Sequence, residues 1–309
     1  MDPSRLEGFS YEQFLTTNRA DLRITDETRE TELPYEVESW NTGGTSYLWV
    51  QMPLLTNGTT LYLFWGRENE QPPSYTTNGQ VWSEGFEAVW HLNSTNPPDA
   101  TRRGYNGSAT GDVGMASSTW INGALDFNGT NAAIITATSN LVLTTAFTLE
   151  GWAYPRNTHA NYSKGILAKN SSTTNNGYLL ANYNGQWQFF VSGTLLSSSS
   201  GFALNQWQHV AGVYGNGQMR LYVNGVGRAG PANAVVLNNS DPLFIGYWFR
   251  DGSNLRFFNG LLDEIRISNV ARSEDWLWAT WMNQASNSVF ALYGSAVSVS
   301  RPGTVIMVR

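Results

Sequence analysis

The sequence predicts an all-β protein, and three observations support this prediction. The 309 residues include 13 Trp, 14 Tyr, 14 Phe and 30 Gly, and aromatic residues suit pleated strands whereas Gly suits turns. Apolar and polar residues alternate with a period of two in many short segments. Asn-Gly pairs separate several of these segments, as they do in β-hairpins. We therefore expect antiparallel sheets with one face in a core and one face in water.

The clearest strand is Gln218–Val223, which lies between two Asn-Gly pairs, Asn216-Gly217 and Asn224-Gly225. Its alternation places Met219, Leu221 and Val223 on one face of a sheet. The same period-two pattern predicts further strands at residues 86–92, 124–127, 133–136, 148–154, 165–169, 178–183, 187–192, 208–214, 243–247 and 262–268.

One helix is expected near the C-terminus. Ser273 has the residue type of an N-cap, and Glu274 and Asp275 place negative charge at the positive end of the helix dipole. An apolar segment, residues 276–282, follows them. Beyond the helix, strand character returns at residues 289–293 and 304–308.

The N-terminal part contains two strand-like segments, residues 47–51 and 60–65, which we expect to be joined through a turn at residues 56–59. A loop-rich stretch at residues 66–80, which contains Pro72-Pro73, then marks a domain boundary. The predicted organisation has three parts: an N-terminal β domain over residues 1–86, a larger β domain over residues 87–283, and a C-terminal strand tail over residues 284–309.

Composition excludes several functions. With 41% hydrophobic and 14% charged residues the chain can form a sizeable core, and a net charge of -6 argues against nucleic-acid or anionic-membrane partners. No apolar run is long enough to span a bilayer, so we expect no membrane insertion. The absence of cysteine rules out disulfides, thiol catalysis and thiolate zinc sites.

Six phrases of the larger domain, taken in order, resemble a bacterial laminin-G-like jelly roll of the concanavalin A type. The phrases are residues 89–92, 122–129, 148–152, 207–211, 220–225 and 263–273. The resemblance covers about residues 87–283. It implies a sandwich of two antiparallel sheets, each of about six or seven strands.

Residues 6–84 resemble the uncharacterised β domain that often precedes this jelly roll in large bacterial surface proteins. The match lies in residues 8–11, 20–24, 32–40 and 47–50. Members of that family usually carry further strands before the first of these phrases. We therefore expect a shortened or processed N-terminal half, or a sheet edge that another chain completes.

The sequence favours a non-catalytic protein. Glucanases of the concanavalin A type carry acidic residues at alternate positions of one strand, and no such Glu-x-Asp-x-x-Glu pattern occurs here. Asp263 and Glu264 are adjacent, so an ordinary strand would place them on opposite faces. His91 and His209 lie in strand phrases and are expected to be hydrogen-bonded structural residues, and His159 lacks a metal-ligand partner motif.

A structural calcium ion is implied by the resemblance. In related jelly rolls an ion commonly joins an aspartate after the first strand to the aspartate of the final Asp-Glu-x-Arg-Ile strand. The matching positions here are Asp99 and Asp263, and Asn106 offers an amide oxygen. The alternative is that Asp99 is a turn residue and that Asp263 pairs with Arg266.

Sugar binding needs an exposed aromatic ring beside side chains that form hydrogen bonds. The loop at residues 247–254 offers Trp248, Arg250, Asp251 and Asn254, and a second candidate is the turn between Tyr183 and Trp187. The alternative for each aromatic residue is a place in the core of the sandwich.

These observations together predict a carbohydrate-binding or adhesion module of an exported bacterial protein, located outside the cell or on its surface. Its partner would be a glycan or a cell-surface protein. One alternative is a self-assembling filament subunit that exchanges strands through its sheet edges, including residues 304–308. A second alternative is a polysaccharide hydrolase or lyase with an unfamiliar site.

Overall fold

The computed structural model describes residues 1–16, 18–117, 120–136, 141–170, 175–249, 256–298 and 304–308. The protein is nearly all β, as predicted, and divides into two compact units. The first unit is Met1–Glu84 with Ala285–Arg309, and the second is Gly85–Gln284. Among the described residues, neither helix has the length and apolar character needed to span a bilayer.

The strands follow one another along both units. In chain order they are β1 (Arg23–Thr25), β2 (Tyr35–Ser39), β3 (Tyr47–Val50), β4 (Leu61–Trp65), β5 (Phe86–Trp90), β6 (Gly107–Thr110), β7 (Gly114–Met115), β8 (Leu125–Asn128), β9 (Ala133–Thr136), β10 (Ala146–Pro155), β11 (Lys164–Asn170), β12 (Gly177–Tyr183), β13 (Gln186–Val191), β14 (Thr194–Ser197), β15 (Gln208–Gly215), β16 (Gln218–Val223), β17 (Val226–Asn233), β18 (Leu243–Ile245), β19 (Asn259–Ser268), β20 (Val297–Ser298) and β21 (Thr304–Val308). The α-helices are α1 (Glu274–Ala285) and α2 (Asn287–Phe290).

The first unit contains a four-stranded antiparallel sheet with the order β1-β4-β21-β20 and a separate β2–β3 hairpin. Both predicted N-terminal strands exist, but the expected hairpin between them is wrong. β3 pairs with β2, whereas β4 pairs with β1 and β21. The connection between β3 and β4 contains Pro53, which has no N–H to donate to a ladder.

The C-terminal segment adds to the first unit. Residues 304–308 form the predicted strand, but residues 289–293 do not, because helix α2 occupies part of that segment. The backbone N–H groups of Val289 and Phe290 both donate to the carbonyl of Ser286, at 2.8 and 3.0 Å. These local turn bonds satisfy the backbone, so the apolar side chains here belong to a helical turn rather than to a strand.

The second unit is the predicted jelly-roll sandwich. One sheet has eight strands, in the order β17-β16-β15-β10-β19-β8-β7, with β5 paired to β19. The other has seven strands, in the order β14-β13-β12-β11-β18-β9-β6. All pairings in both sheets are antiparallel.

The Asn-Gly pairs set the register of the eight-stranded sheet. Asn216 and Gly217 have φ of 52° and 74°, and Asn224 and Gly225 have φ of 51° and 70°. Positive φ at both central residues is the requirement of a type I′ turn, whose twist matches that of paired strands. β16 therefore runs over the predicted residues and pairs with β15 and β17.

The core lies between the two sheets and follows the alternation of each strand. On β12, for example, Tyr178 and Leu180 point into the core, whereas Leu179 and Ala181 point away from it. The large side chains buried in this core include Trp90, Phe127, Phe147, Trp187, Phe189 and Phe258. Each such side chain contributes roughly 1.5–3 kcal/mol when it leaves water, so this cluster is the main source of the unit's stability.

Helix α1 covers part of the outer face of the eight-stranded sheet. The Ser273 hydroxyl accepts a hydrogen bond from the Trp276 N–H at 3.1 Å, which confirms the predicted N-cap. Leu277 packs in one buried cluster with Ala211, Val213 and Tyr222 of the sheet.

Candidate functional site

The candidate site lies on the outer face of the seven-stranded sheet, which we call the front face. Alternation brings Leu179 and Ala181 of β12 and Phe190 of β13 to this face, where they form one apolar cluster with Trp248. Tyr183 follows Leu179 and Ala181 at the same spacing, so it shares their face. The structure therefore places two of the predicted residues, Tyr183 and Trp248, on one surface.

Trp248 rests on the sheet because Gly165 of β11 has no side chain. A Cβ at Gly165 would lie 3.0 Å from the Cβ of Trp248 and 2.7 Å from the carbonyl oxygen of Tyr247. The Trp248 indole N–H donates to the Asn170 side-chain oxygen at 3.0 Å, and the residue is only 5% exposed. Trp248 is therefore the fixed base of the site rather than its open surface.

Arg256 lies between two aromatic rings. Its guanidinium carbon is 4.5 Å from the centre of the Trp248 ring and 4.8 Å from the centre of the Tyr162 ring. Such stacking holds the guanidinium plane by cation–π attraction. Arg256 is 8% exposed, whereas Tyr162 is 43% exposed, so Tyr162 presents an aromatic ring to solvent on top of this stack.

Two further basic residues, Lys164 and His159, lie at the start of β11 and in the loop before it. The register pairs Lys164 with Asn182, so its side chain is on the inner side of the sheet rather than on the front face. Burial, followed by the positive charge of Arg256, lowers the pKa of Lys164. Burial, followed by the charge of Lys164, lowers the pKa of His159 to about 4, and the His159 ring nitrogen Nε2 accepts from the Asn259 N–H at 3.4 Å. His159 is therefore neutral at pH 7.

Uncharged polar groups complete the front face. The Gln188 side chain on β13 accepts a hydrogen bond from the Ser163 hydroxyl at 2.6 Å, and its amide nitrogen donates to the Ser197 hydroxyl at 3.2 Å. Phe249 follows Trp248 in the sequence and is exposed. Its ring stacks on the Phe244 ring, with the two ring centres 6.2 Å apart. The site thus joins aromatic rings to hydroxyl, amide and cationic groups.

The charges of the seven-stranded sheet have one sign. None of its seven strands contains Asp or Glu, and their charged residues are Lys164 and Lys169, both on β11. A retaining or inverting glycosidase needs two carboxyl groups across its cleft. The strands of this sheet supply none.

Trp187 does not reach the front face. It is 0% exposed, lies in the core between the sheets, and donates its indole N–H to the Gln208 side chain at 3.0 Å. Its position on β13 alternates with Gln188 and so points inward. The predicted residues Arg250, Asp251 and Asn254 lie outside the described residues.

The proposed calcium ligands are already engaged. The two carboxylate oxygens of Asp99 accept four hydrogen bonds of 2.8–3.0 Å, from the N–H groups of Val89, Thr101 and Tyr105 and from the Thr101 hydroxyl. The Asn106 side-chain oxygen accepts from the Asp99 N–H at 2.9 Å. These donors occupy lone pairs of Asp99 and Asn106 that a cation would need, and calcium stays a prediction.

Asp263 and Glu264 do not follow the expected alternation. The pairing of β19 with β10 shifts register between Glu150 and Trp152, and Glu264 has φ of 51°. In this β-bulge, two residues of β19 lie opposite the single residue Gly151 of β10. As a result, the carboxylates of Asp263 and Glu264 both point away from the core. Asp263 accepts from the Ile121 N–H at 3.1 Å.

Glu264 is the centre of a buried ion pair network. Its carboxylate lies 2.7 Å from His91 Nδ1 and 2.5 Å from an Arg266 guanidinium nitrogen. Burial alone would raise the pKa of Glu264, but the charges of His91 and Arg266 hold it below its ordinary value. Nearby on the same sheet, His209 Nε2 lies 3.2 Å from a Glu150 oxygen. Both histidines thus lie beside a buried glutamate of this sheet, and their structural role stays a prediction.

Tyr162 and Arg256 were not predicted from the sequence. Tyr162 lies in a different segment from Trp248 and Arg256 lies outside the predicted loop, and the folded sandwich brings the three side chains together. The available signal was the phrase Asn161-Tyr162-Ser163-Lys164, in which an aromatic and a lysine interrupt a polar loop.

Comparisons with known proteins agree with this fold. Residues 127–277 match the family model Laminin_G_3, described as the concanavalin A-like lectin/glucanases superfamily. No curated protein matches the sequence.

Several solved structures share the fold. The binding domain of Paraclostridial Mosquitocidal Protein 1 superposes with a TM-score of 0.55 at 15% identity, over 66% of this chain and 53% of that one. Domain 4 of AbnA, an extracellular arabinanase from Geobacillus stearothermophilus in complex with arabinotriose, gives 0.51 at 19% identity over 62% and 96%. The botulinum neurotoxin serotype D ligand binding domain with N-acetylneuraminic acid gives 0.52 at 15% identity over 65% and 52%.

These likenesses concern the fold alone, because every identity is below one in five. The chain spans about half the length of the two toxin binding domains that it matches. It covers nearly all of the arabinanase domain.

Proposed function

We propose that the jelly roll of this chain, a concanavalin A-like and laminin-G-like domain, is a non-catalytic carbohydrate-binding module that acts outside the cell. The observation that carries this proposal is the front face, where the exposed Tyr162 ring stands on the Arg256–Trp248 stack. An aromatic ring of this kind packs against the C–H face of a sugar. Ser163 and Gln188 lie close by and offer hydrogen bonds to its hydroxyl groups.

The solved relatives support the same function and location. Two of them were solved with a sugar bound, arabinotriose in one case and N-acetylneuraminic acid in the other, and the arabinanase is described as extracellular. The strands of the front face contain no Asp or Glu, which favours binding over hydrolysis. Fold likeness alone does not assign a function, and the front-face residues carry the proposal.

A glycan array with the full chain tests the proposal. We expect binding to a defined set of glycans, and a loss of about tenfold in affinity for Tyr162→Ala, because a central aromatic contact contributes at least about 1.4 kcal/mol. Tyr162→Phe is the matched control, since it keeps the ring. No binding to any glycan would overturn the proposal.

The same glycans also test the absence of catalysis. Incubation with the full chain should release neither reducing ends nor unsaturated products. Release that one carboxylate substitution abolishes would instead support a hydrolase or lyase. Strand exchange gains no support from the described strands, because β21 pairs with β4 of its own chain.

A further inference from the structure

We infer that the front face binds a linear glycan over several consecutive sugar units, laid across the strands, rather than a single terminal sugar. The inference rests on the proposed function, since it names the class of glycan for the same surface. It assigns a second aromatic contact, Phe249, in addition to Tyr162.

A row of side chains crosses the seven-stranded sheet from its first edge to its last. Each member lies opposite the next one in the register of two paired strands, and the neighbours of each member along its own strand point into the core, so the row faces outward. From β6 to β14 the row is Ser108, Ile135, Phe244, Ala168, Leu179, Phe190 and Leu195. All members after Ser108 are apolar. Since neighbouring strands lie about 4.8 Å apart, this apolar part of the row is roughly 24 Å long.

The loop after β18 adds a second layer to the middle of this row. Trp248 packs in one buried cluster with the members from β11, β12 and β13. The next residue, Phe249, lies over β18 instead, where its ring stacks on the Phe244 ring. Consecutive residues of one loop therefore cover neighbouring positions of the row. The aromatic surface is an extended strip rather than a single point.

Three apolar side chains of this strip reach solvent at separate places. Phe249 is 44% exposed over β18, Tyr162 is exposed on top of the Arg256–Trp248 stack, and Leu195 is 50% exposed on β14. In the sheet, β18 and β14 are four strand spacings apart, which is roughly 19 Å. This distance exceeds the size of one sugar ring. A chain of sugars laid across the strands contacts these side chains in turn.

Polar side chains border the strip on β13 and β14. Gln188 lies two residues from Phe190 on β13, and Ser197 lies two residues from Leu195 on β14, so both share the front face. The Gln188 side chain bonds to the hydroxyls of Ser163 and Ser197. A hydroxyl has one donor and two acceptor sites, so one such bond leaves each serine able to bond to a sugar hydroxyl.

The test is titration calorimetry of the full chain with oligosaccharides of increasing length. The probes are four neutral linear series, the arabino-, xylo-, cello- and galacto-oligosaccharides, each from the disaccharide to the hexasaccharide. In at least one series we expect the hexasaccharide to bind at least about tenfold more tightly than the disaccharide, because the longer chain gains a second aromatic contact.

Three variants make the test specific. Phe249→Ala should remove most of the gain from disaccharide to hexasaccharide, whereas a gain that only reflects the larger number of binding positions on a longer chain would survive this substitution. Phe249→Tyr keeps the ring and should retain the gain. Trp278→Ala removes an exposed ring from α1 and should also retain it. Thermal unfolding checks that all three variants fold.

Three results would overturn the inference and leave the proposed function intact: equal affinity for the disaccharide and the hexasaccharide, a gain with length that Phe249→Ala retains, or binding on the glycan array without binding to any of the four linear series. Binding to no glycan, on the array or in the series, would overturn the proposed function and the inference together.

Discussion

The outer faces of the two sheets differ in how they hold their charged side chains. On the eight-stranded sheet, Glu264 is buried between His91 and Arg266, and each charge has a partner. On the front face of the seven-stranded sheet, Arg256 is buried between the rings of Trp248 and Tyr162. A paired buried network serves the fold, because removing one member leaves the others uncompensated. The aromatic stack of the front face instead ends in the exposed Tyr162 ring, and we interpret it as a surface for a ligand.

The largest expected effect comes from breaking the buried network. Glu264→Gln leaves the Arg266 charge without its carboxylate, so we expect a loss of about 3–5 kcal/mol in unfolding free energy. Chemical denaturation measures this loss. Glu274→Gln, at the exposed start of α1, is the control and should cost less than about 1 kcal/mol. A similar loss of unfolding free energy in Glu264→Gln and Glu274→Gln would show that the buried network does not contribute more to the fold than an exposed charge does.

Acid should weaken the same network. Because the folded-state pKa of Glu264 lies below its ordinary value, its stabilising contribution is complete above the unfolded-state pKa and is lost as pH falls through the lower folded-state pKa. The difference in melting temperature between the wild type and Glu264→Gln should therefore be largest near neutral pH and shrink in acid. If the difference in melting temperature between the two proteins stays constant as the pH falls through the acid range, the lowered pKa of Glu264 is refuted.

The next effect concerns binding rather than stability. Tyr162→Ala on the front face should reduce glycan affinity about tenfold and change the melting temperature little, because the residue is already 43% exposed to solvent. Trp278→Ala removes a similarly exposed ring from α1, on the other sheet. It should leave affinity unchanged. Equal losses in the two variants would show that the front face is not the binding surface.

A smaller effect is expected for an exposed ion pair of the eight-stranded sheet. Arg156 contacts both carboxylate oxygens of Asp126, at 2.6 and 2.7 Å, and both side chains are more than a third exposed. Water and salt screen such a pair, so Arg156→Ala should lower stability by at most about 1 kcal/mol. A loss as large as that of Glu264→Gln would show that burial does not separate the two kinds of pair.

The smallest effect is expected for chelation. Asp99 already accepts four hydrogen bonds from its own chain, so removal of divalent cations should leave the melting temperature unchanged. Differential scanning calorimetry with and without EDTA measures this. A clear fall that added calcium reverses would instead confirm the ion predicted at Asp99 and Asp263.

The sequence was most informative where local rules decide the structure. Gln218–Val223 lies between two turns whose residues need positive φ, and its strand runs over the predicted residues. The N-cap at Ser273 was equally local. Edge strands such as β7 and β17 were missed, because the two residues of β7 carry no period and because Gly and Pro interrupt β17.

The candidate site was harder to predict because it depends on which face each aromatic residue takes. Trp187 and Trp248 are equally aromatic, yet alternation sends Trp187 into the core, while the missing side chain of Gly165 allows Trp248 to lie on the front face. Tyr162 and Arg256 meet only after the sheet forms. Their contact is a consequence of tertiary structure and has no local pattern.

The pairing of β21 with β4 has a consequence for the order of folding. In the sequence, the entire jelly roll lies between these two strands. β4 therefore cannot pair with β21 until the ribosome has synthesised residues 304–308. Contacts so distant along the chain form slowly, because closing a long loop costs entropy before any pairing compensates for it. We therefore expect the inserted sandwich to fold first during translation, and the sheet that brackets it to be completed last.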